Sequence, residues 1–163
     1  METTSDSTSY LSFLINEEYF AVKIQNVLEV LEMQKIIPIP KTPKYIRGVI
    51  NFRGEILPVI DTRLKFNMIE NQNKSNNVII VLEINQDDNE NKLLVGTIAD
   101  SVKNVVDVKP LDIMLVPDFN TIINSEYTDG IFKNENNFIT ILNIDKIFSL
   151  NNKNQKHSQN QLS

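Results

Sequence analysis

The sequence predicts a mainly β protein built from small barrels rather than from a parallel α/β sheet. Short runs of β-branched and aromatic residues recur along the chain, and turn signals separate them every ~8–12 residues, which is typical of all-β folds. An apolar fraction of 41% supports a folded core. No fixed-period repeat is evident, and the 163 residues suffice for one domain or for two intimately packed lobes.

The first half of the chain is predicted to contain five strands: Tyr10–Ile15, Tyr19–Val22, Val27–Met33, Gly48–Phe52 and Glu55–Ile60. The first two flank a hairpin signal at residues 16–18. The third run fits a strand and a helix about equally, and we assign it as a strand. Gly48 and Gly54 are predicted to serve turns of the backbone, because glycine adopts the positive φ that a tight turn demands. The proline-rich stretch 36–43 is predicted to be a loop or an edge segment.

The second half is predicted to contain five further strands: Val78–Ile84, Leu93–Ala99, Ser101–Val108, Ile131–Lys133 and Phe138–Leu142. The first two are so apolar that burial on both faces is expected. Residues 67–77 and 112–127 are assigned as loops, the latter with room for one strand. Asn143–Leu150 is predicted to be a short C-terminal helix, because Asn143 is a suitable N-cap and Ile144, Ile147 and Phe148 fall on one face.

The two ends of the chain are predicted to be disordered tails, covering residues 1–9 and 151–163. Both segments are too polar to offset the entropy of ordering. The N-terminus lacks the basic start and apolar run of a signal peptide, and there is no cysteine. No apolar run approaches the ~18 residues of a transmembrane helix. These features predict a cytoplasmic protein without direct membrane insertion.

The composition argues against most enzyme classes and against nucleic acid as a partner. A net charge of −5 and a pI of about 4.9 oppose phosphate binding. The one histidine, His157, lies in the predicted tail, and no glycine-rich phosphate loop is present. No metal site or cofactor is predicted: the acidic stretch 87–91 has Lys92 and Ile98 where a calcium loop needs glycine and glutamate. A catalytic carboxylate pair stays open, with Glu29 and Glu32 as its members, because their separation is not readable from sequence.

The segment Arg47–Leu64 is the most distinctive part of the sequence. From its residues alone it is a hairpin with apolar arms and a charged tip. Residues 45–63 also resemble the signature of the CheW family, which typically reads F-I-R-G-V-I-N-L-R-G-x-x-x-P-V-I-D-L-R. Tyr45, Phe52 and Thr62 are conservative departures from that pattern. Further matches at family spacing lie at residues 19–30, 37–43, 95–102 and 141–147, so the resemblance covers nearly the whole predicted folded region.

The resemblance implies a CheW-like domain over residues 10–150, made of two packed SH3-like five-stranded β-barrels. It implies a non-catalytic adaptor between the cytoplasmic tip of methyl-accepting chemoreceptors and the regulatory domain of the histidine kinase CheA, placed at membrane-associated receptor arrays. By position in the family pattern, the receptor-binding residues are Ile24, Val27, Glu29, Arg53, Val102 and Val105. The candidate kinase-binding residues are Pro43, Ile46 and Arg47.

Two alternatives to the chemotaxis adaptor stay open. A CheW-like scaffold of a different signalling system has the same sequence features. A ligand-binding β-barrel belongs to another class of protein and would require a polar, preorganised pocket. Co-purified receptor and kinase would distinguish the adaptor from the binding protein.

Overall fold

The computed structural model describes residues 6–68, 76–85, 91–115 and 125–148. These residues form ten strands: β1 (Thr8–Ile15), β2 (Glu18–Lys23), β3 (Val27–Glu32), β4 (Ile46–Phe52), β5 (Glu55–Ile60), β6 (Val78–Asn85), β7 (Lys92–Ala99), β8 (Ser101–Val108), β9 (Thr128–Asn134) and β10 (Asn137–Leu142). Two single-turn helices, α1 (Thr62–Lys65) and α2 (Ile144–Ile147), follow β5 and β10. The prediction of a mainly β fold is confirmed, including the strand assignment of Val27–Met33.

The strands form two five-stranded sheets. The order β8-β1-β2-β10-β9 makes the terminal barrel, and the order β3-β6-β7-β5-β4 makes the central barrel. Within each barrel neighbouring strands pair in antiparallel fashion except at one contact, β2 with β10 or β5 with β7. The predicted pair of five-stranded subdomains is therefore confirmed.

An internal repeat relates the two barrels, with β1 to β5 and α1 corresponding to β6 to β10 and α2. The hairpins β1–β2 and β4–β5 match the hairpins β6–β7 and β9–β10. The two halves of the chain exchange their third strand: β3 pairs with β6 of the second half, and β8 pairs with β1 of the first half. Each barrel thus takes two strands from one half of the chain and three from the other, and neither half closes a barrel alone.

Among the residues that the structure describes, three apolar clusters make up the core. The central-barrel core lies inside one sheet and the terminal-barrel core inside the other. A third cluster, the inter-barrel core, is built from strands of both sheets, from α2 and from the C-cap of α1: it contains Leu11, Phe13, Ile15, Phe20, Val22, Ile60, Phe66, Ile80, Leu82, Ile84, Val95, Ala99, Leu142, Ile144, Ile147 and Phe148. Alternate residues of β6 serve two of these clusters, which explains why almost every position of that strand is apolar.

Both helices begin with a side-chain cap at the same position of the repeat. The Asp61 carboxylate accepts a hydrogen bond from Arg63 N at 3.0 Å, and the Asn143 side chain accepts one from Lys146 N at 3.2 Å. The predicted C-terminal helix is confirmed as the single turn Ile144–Ile147, and its apolar face enters the inter-barrel core. Helix α1 was not predicted, because its four residues are too few to show a helical period.

The chain ends and loops lie largely outside the described residues. Strand β1 begins at Thr8, which pairs with Val108, so the last residues of the segment 1–9 belong to the terminal barrel. Residues 1–5 and the predicted tail 151–163 are not among those described. Of the described residues, none lies in a helix with the length and apolar character that crossing a membrane requires.

Candidate functional site

Val27 and Val102 occupy equivalent positions in the two halves of the internal repeat. Val27 on β3 is paired with Leu82, and Val102 on β8 is paired with Phe13. Both partners belong to the inter-barrel core, and both valines pack against that cluster while remaining partly exposed. Two predicted receptor-binding residues therefore both lie against the inter-barrel core.

Val30 and Val105 extend this boundary outward. Val30 is paired with Ile80 and Val105 with Leu11, so both valines lie on the sheet faces that form the inter-barrel core. Their exposed fractions are 40% and 56%. We call Val27, Val30, Val102 and Val105 the inter-barrel surface. Val30 was not predicted from the sequence. Its place in the alternating run that forms β3 could have indicated that it lies on this face of the strand.

Ile24 belongs to the short 3-10 turn that joins β2 to β3. The turn lies against β1 and β6, the strands that carry the inter-barrel core in the two barrels. Ile24 is partly exposed. The structure thus places Ile24 beside the same boundary, in keeping with its predicted grouping with Val27.

Glu29 and Arg53 form an ion pair on the other face of β3. Glu29 is paired with Val81, whose side chain belongs to the central-barrel core. Arg53 Nη2 lies 3.0 Å from Glu29 Oε2, and the exposed side-chain fractions are 65% and 39%. The Arg53 guanidinium also covers the Phe52 ring at 4.9 Å. The pair joins the β4–β5 turn to β3, and such exposed pairs contribute only about 0–1 kcal/mol to stability.

The three candidate kinase-binding residues differ in exposure. Pro43 is exposed, and its carbonyl accepts a hydrogen bond from Ile46 N at 3.0 Å. Ile46 is half-buried against the inter-barrel core. Arg47 Nε and Nη2 donate to Asp61 Oδ2 at 3.1 and 3.0 Å, and Asp61 is fully buried. Pro43 is therefore the member of this set that a partner reaches without displacing internal contacts.

The two glycines of the signature hairpin have different roles. Gly54 follows Arg53 in the β4–β5 turn at φ +83°, with nothing within 4 Å of an added Cβ. Gly48 lies inside β4 at φ +143°, where the register with β5 shifts. The Gly48 backbone passes directly under Ile37, whose N–H and C=O bond to Val49 at 2.9 and 2.8 Å. Gly48 therefore permits a close approach of two backbones.

Lys65 and Tyr10 have shifted pKa values. Burial lowers the pKa of Lys65, whose Nζ lies 4.4 Å from the centre of the Tyr45 ring. Burial raises the pKa of Tyr10, and the nearby Asp129 carboxylate adds to that rise. Neither residue belongs to the inter-barrel surface.

The candidates for catalytic or metal chemistry do not come together in the part of the chain that the structure describes. No group of three or more acidic, histidine or cysteine side chains suited to a metal occurs among those residues. Glu29 is paired with Arg53, and Glu32 is exposed. Residues 86–90, which hold most of the acidic stretch, and His157 lie outside the described residues.

A family model for the CheW-like domain matches residues 9–151. The chain belongs to the CheW family. The chemotaxis protein CheW of Helicobacter pylori is 31% identical over 147 residues, which cover 90% of this chain and 84% of the relative. That of Treponema pallidum is 28% identical over 151 residues, covering 91% and 86%. The prediction of this family from the signature hairpin is confirmed.

A solved structure supports the same assignment. The crystal structure of the scaffolding protein TtCheW from Thermoanaerobacter tengcongensis is similar with a TM-score of 0.80 at 29% identity, over 94% of this chain and 95% of that one. The predicted pair of SH3-like barrels is thus confirmed as the fold of this CheW family member. These two relatives are named as chemotaxis proteins, and the solved structure is that of a scaffolding protein.

Proposed function

We propose that this protein is a non-catalytic adaptor that couples the cytoplasmic tips of methyl-accepting chemoreceptors to the regulatory domain of the histidine kinase CheA. The observation that carries this proposal is the inter-barrel surface, to which both halves of the chain contribute exposed valines. Exposed apolar residues that form one patch mark contact sites for proteins. The adaptor acts in the cytoplasm at receptor arrays, without a cofactor, nucleic acid or insertion into the membrane.

The inter-barrel surface suits the helical hairpin of a receptor tip. A helix offers apolar side chains at positions i, i+3, i+4 and i+7 and lays them against an apolar groove. The valines of β3 and β8 are the anchors for such a helix. Arg53 and Glu29 carry opposite charges on the other face of β3. Charges beside an apolar contact fix the register of a partner more than they add affinity.

Replacing Arg53 by alanine is expected to reduce receptor control of the kinase at least tenfold while leaving the fold intact. Its ion pair with Glu29 is exposed and contributes only about 0–1 kcal/mol to stability. A guanidinium that binds a receptor carboxylate is worth more, because the charges are desolvated in the complex. The measurement is kinase autophosphorylation in a reconstituted mixture of receptor, kinase and this protein.

Glu135→Ala is the matched control for Arg53→Ala. Glu135 is exposed at the tip of the β9–β10 hairpin and has φ 57°, close to the φ 52° of Arg53. This variant should couple receptor and kinase normally. Normal receptor control with Arg53→Ala would remove Arg53 from the receptor contact. A mixture that needs no added protein for receptor control would refute the adaptor role itself.

The kinase-facing surface is proposed to include Pro43, Ile46 and Arg47. The proline-marked link from β3 to β4 runs along the edge of the central barrel, where the Ile37–Val49 bridge fixes it. The apolar side chains Ile37, Ile39 and Ile56 are exposed in the same region. This edge presents isoleucines and a proline that are separate from the four valines of the inter-barrel surface.

Pro43→Glu is expected to weaken binding of the CheA regulatory domain about tenfold without unfolding the protein, because Pro43 is exposed and a charge there must be desolvated in the complex. Isothermal titration with the isolated regulatory domain measures the change. Pro110→Glu is the control, since Pro110 is also exposed but follows β8 in the terminal barrel. Equal affinity of the two variants would exclude Pro43 from the kinase contact.

The same reconstitution separates the two alternatives. A scaffold of a different signalling system would bind the regulatory domain of another kinase and leave this one unregulated. A ligand-binding β-barrel would not alter kinase control with any receptor. Only receptor-dependent control that requires this protein supports the chemotaxis adaptor.

A further inference from the structure

The central barrel contains a cavity of about 330 Å³ at the end where β4 begins and α1 follows β5. We call it the arginine pocket, and it is lined by Met33, Ile36, Pro38, Arg47, Arg63, Asn77 and Ile98. Met33, Ile36, Pro38 and Ile98 make its lining largely apolar, and the other three residues contribute two guanidinium groups and an amide. A cavity of this size falls in the range that holds small ligands or a single large side chain.

Arg63 presents unused hydrogen-bond donors to this pocket. The side chain is only 3% exposed. Its Nε donates to Asp61 Oδ1 at 3.3 Å and its Nη1 to Asp100 Oδ1 at 3.5 Å, both long for charge-assisted bonds. A guanidinium has five N–H donors, and Nη2 of Arg63 has no hydrogen-bond partner among the described residues. The cavity is therefore lined by a largely buried cation with one nitrogen available to a ligand.

The terminal barrel contains the same structural position without an arginine. In the repeat, Arg63 corresponds to Asp145 on α2, and Arg47 corresponds to Asp129 on β9. Helix α2 forms with the same type of cap, and Asp145 Oδ1 accepts a hydrogen bond from Asn85 N at 3.0 Å. The barrel and its helix thus fold without a buried guanidinium at this place. Since burial of a charge is costly, the arginine calls for a further role.

We propose that the arginine pocket binds a carboxylate carried on a short aliphatic chain. The free edge of the Arg63 guanidinium matches the planar fork of a carboxylate. Met33, Ile36 and Ile98 offer the apolar contacts for the chain that bears it. Asp61 and Asp100 beside Arg63 repel a second negative charge, so the pocket selects a monoanion over a phosphate dianion.

The test is an NMR titration of the full chain with 4-methylpentanoate and with its neutral amide, 4-methylpentanamide. The carboxylate should produce saturable shifts of the Arg63 Nε–H and the Ile98 amide, and the isosteric amide should bind at least tenfold more weakly. Absence of saturable shifts, or equal binding of acid and amide, would overturn the proposal. The titration requires no receptor or kinase and so stands independently of the proposed function.

Met33→Asp provides the decisive variant, because Met33 lies at the partly exposed mouth of the pocket and tolerates a polar side chain. The added carboxylate should weaken 4-methylpentanoate binding at least tenfold. Leu111→Asp adds the same charge at an almost fully exposed position outside the pocket and should leave binding unchanged. Equal affinity of the two variants would contradict the assignment of the site.

A competition experiment identifies the natural source of the carboxylate. Displacement of 4-methylpentanoate by the CheA regulatory domain would identify an acidic side chain of a protein partner. Retention of the acid in the presence of that domain would identify a free aliphatic acid. Both results support the pocket chemistry and differ only in what supplies the carboxylate.

Discussion

Replacing Asp61 by alanine is expected to lower the free energy of unfolding by about 3–5 kcal/mol, measured by urea denaturation. Asp61 is fully buried and accepts hydrogen bonds from Arg47 at 3.0 and 3.1 Å and from Arg63 Nε at 3.3 Å. Removal of the carboxylate leaves the almost completely buried Arg63 without its main counter-charge. The variant also loses the cap of helix α1.

Asn143→Ala is the matched control for this loss. Asn143 caps α2 at the same position of the repeat, and its side chain donates a hydrogen bond to Asp129 at 3.0 Å. Its replacement removes a cap without leaving a buried cation unpaired, so a loss of about 1 kcal/mol is expected. Asp61→Asn, which keeps a capping oxygen and loses the charge, should fall between the two. If Asp61→Ala costs no more than Asn143→Ala, the buried ion pairs do not stabilise the fold.

The Asp61 network also connects the two barrels. Arg63 Nη1 lies 3.5 Å from Asp100, whose other carboxylate oxygen accepts a hydrogen bond from Asn16 N at 2.7 Å. The backbone N–H of Asp100 donates to Leu14 O at 2.8 Å. Leu14 and Asn16 belong to the terminal barrel, while Asp61 and Arg63 follow β5 of the central barrel. The loss of Asp61 is therefore expected to weaken the association of the barrels as well as α1.

Most strands were predictable from sequence because each has a local signal. The apolar strands β6 and β7 read as continuous runs, since one face of β6 enters the central-barrel core and the other enters the inter-barrel core. The turn at residues 16 and 17 was predictable from its residue types, and both adopt positive φ. Helix α1 was not, because a single turn of four residues offers no period to detect.

The internal repeat escaped detection in the sequence because it preserves burial and not residue identity. Residues 45–66 correspond to residues 127–148 without gaps, yet they are identical only at Tyr45 and Tyr127, Gly48 and Gly130, and Phe66 and Phe148. All three arginines of the first segment are matched by acidic residues of the second, as when Arg47 is matched by Asp129. The strand pairings reveal the repeat because hydrogen bonding depends on the backbone and not on side-chain charge.

The candidate site was predictable only in part. The family pattern supplied Val27, Val102 and Val105, and the strand pairings add Val30 to them. The family pattern also supplied Glu29 and Arg53, and the structure adds that their side chains form an ion pair at 3.0 Å. The burial of Arg47 against Asp61 was not readable from sequence, because these residues meet only through the pairing of β4 with β5.

Gly48→Ala is expected to lower the free energy of unfolding by roughly 3–5 kcal/mol, combining backbone strain with steric overlap. An added Cβ at Gly48 would lie 2.1 Å from the carbonyl oxygen of Ile37 and 2.9 Å from Cα of Pro38. Those atoms are backbone and cannot rotate away as a side chain can. At φ +143° the alanine would also occupy a conformation that favours glycine.

Two other glycines supply controls for Gly48→Ala: Gly54 in the β4–β5 turn, and Gly130, which corresponds to Gly48 in the internal repeat. Gly54→Ala meets no atom within 4 Å at φ +83° and should cost only about 1–2 kcal/mol from the left-handed conformation. At Gly130 an added Cβ would lie 2.5 Å from a methyl group of Ile113, which can move, and 2.8 Å from the backbone oxygen of Met114, which cannot. A loss between those of Gly54→Ala and Gly48→Ala is therefore expected. If urea denaturation gives equal losses in the free energy of unfolding for Gly48→Ala and Gly54→Ala, the backbone at Ile37 moves to accommodate the added methyl group. A larger loss for Gly48→Ala would mean that the segment between β3 and β4 is held rigidly against β4. The proposed kinase-facing surface requires this rigidity, because a contact surface that is fixed beforehand loses less entropy on binding.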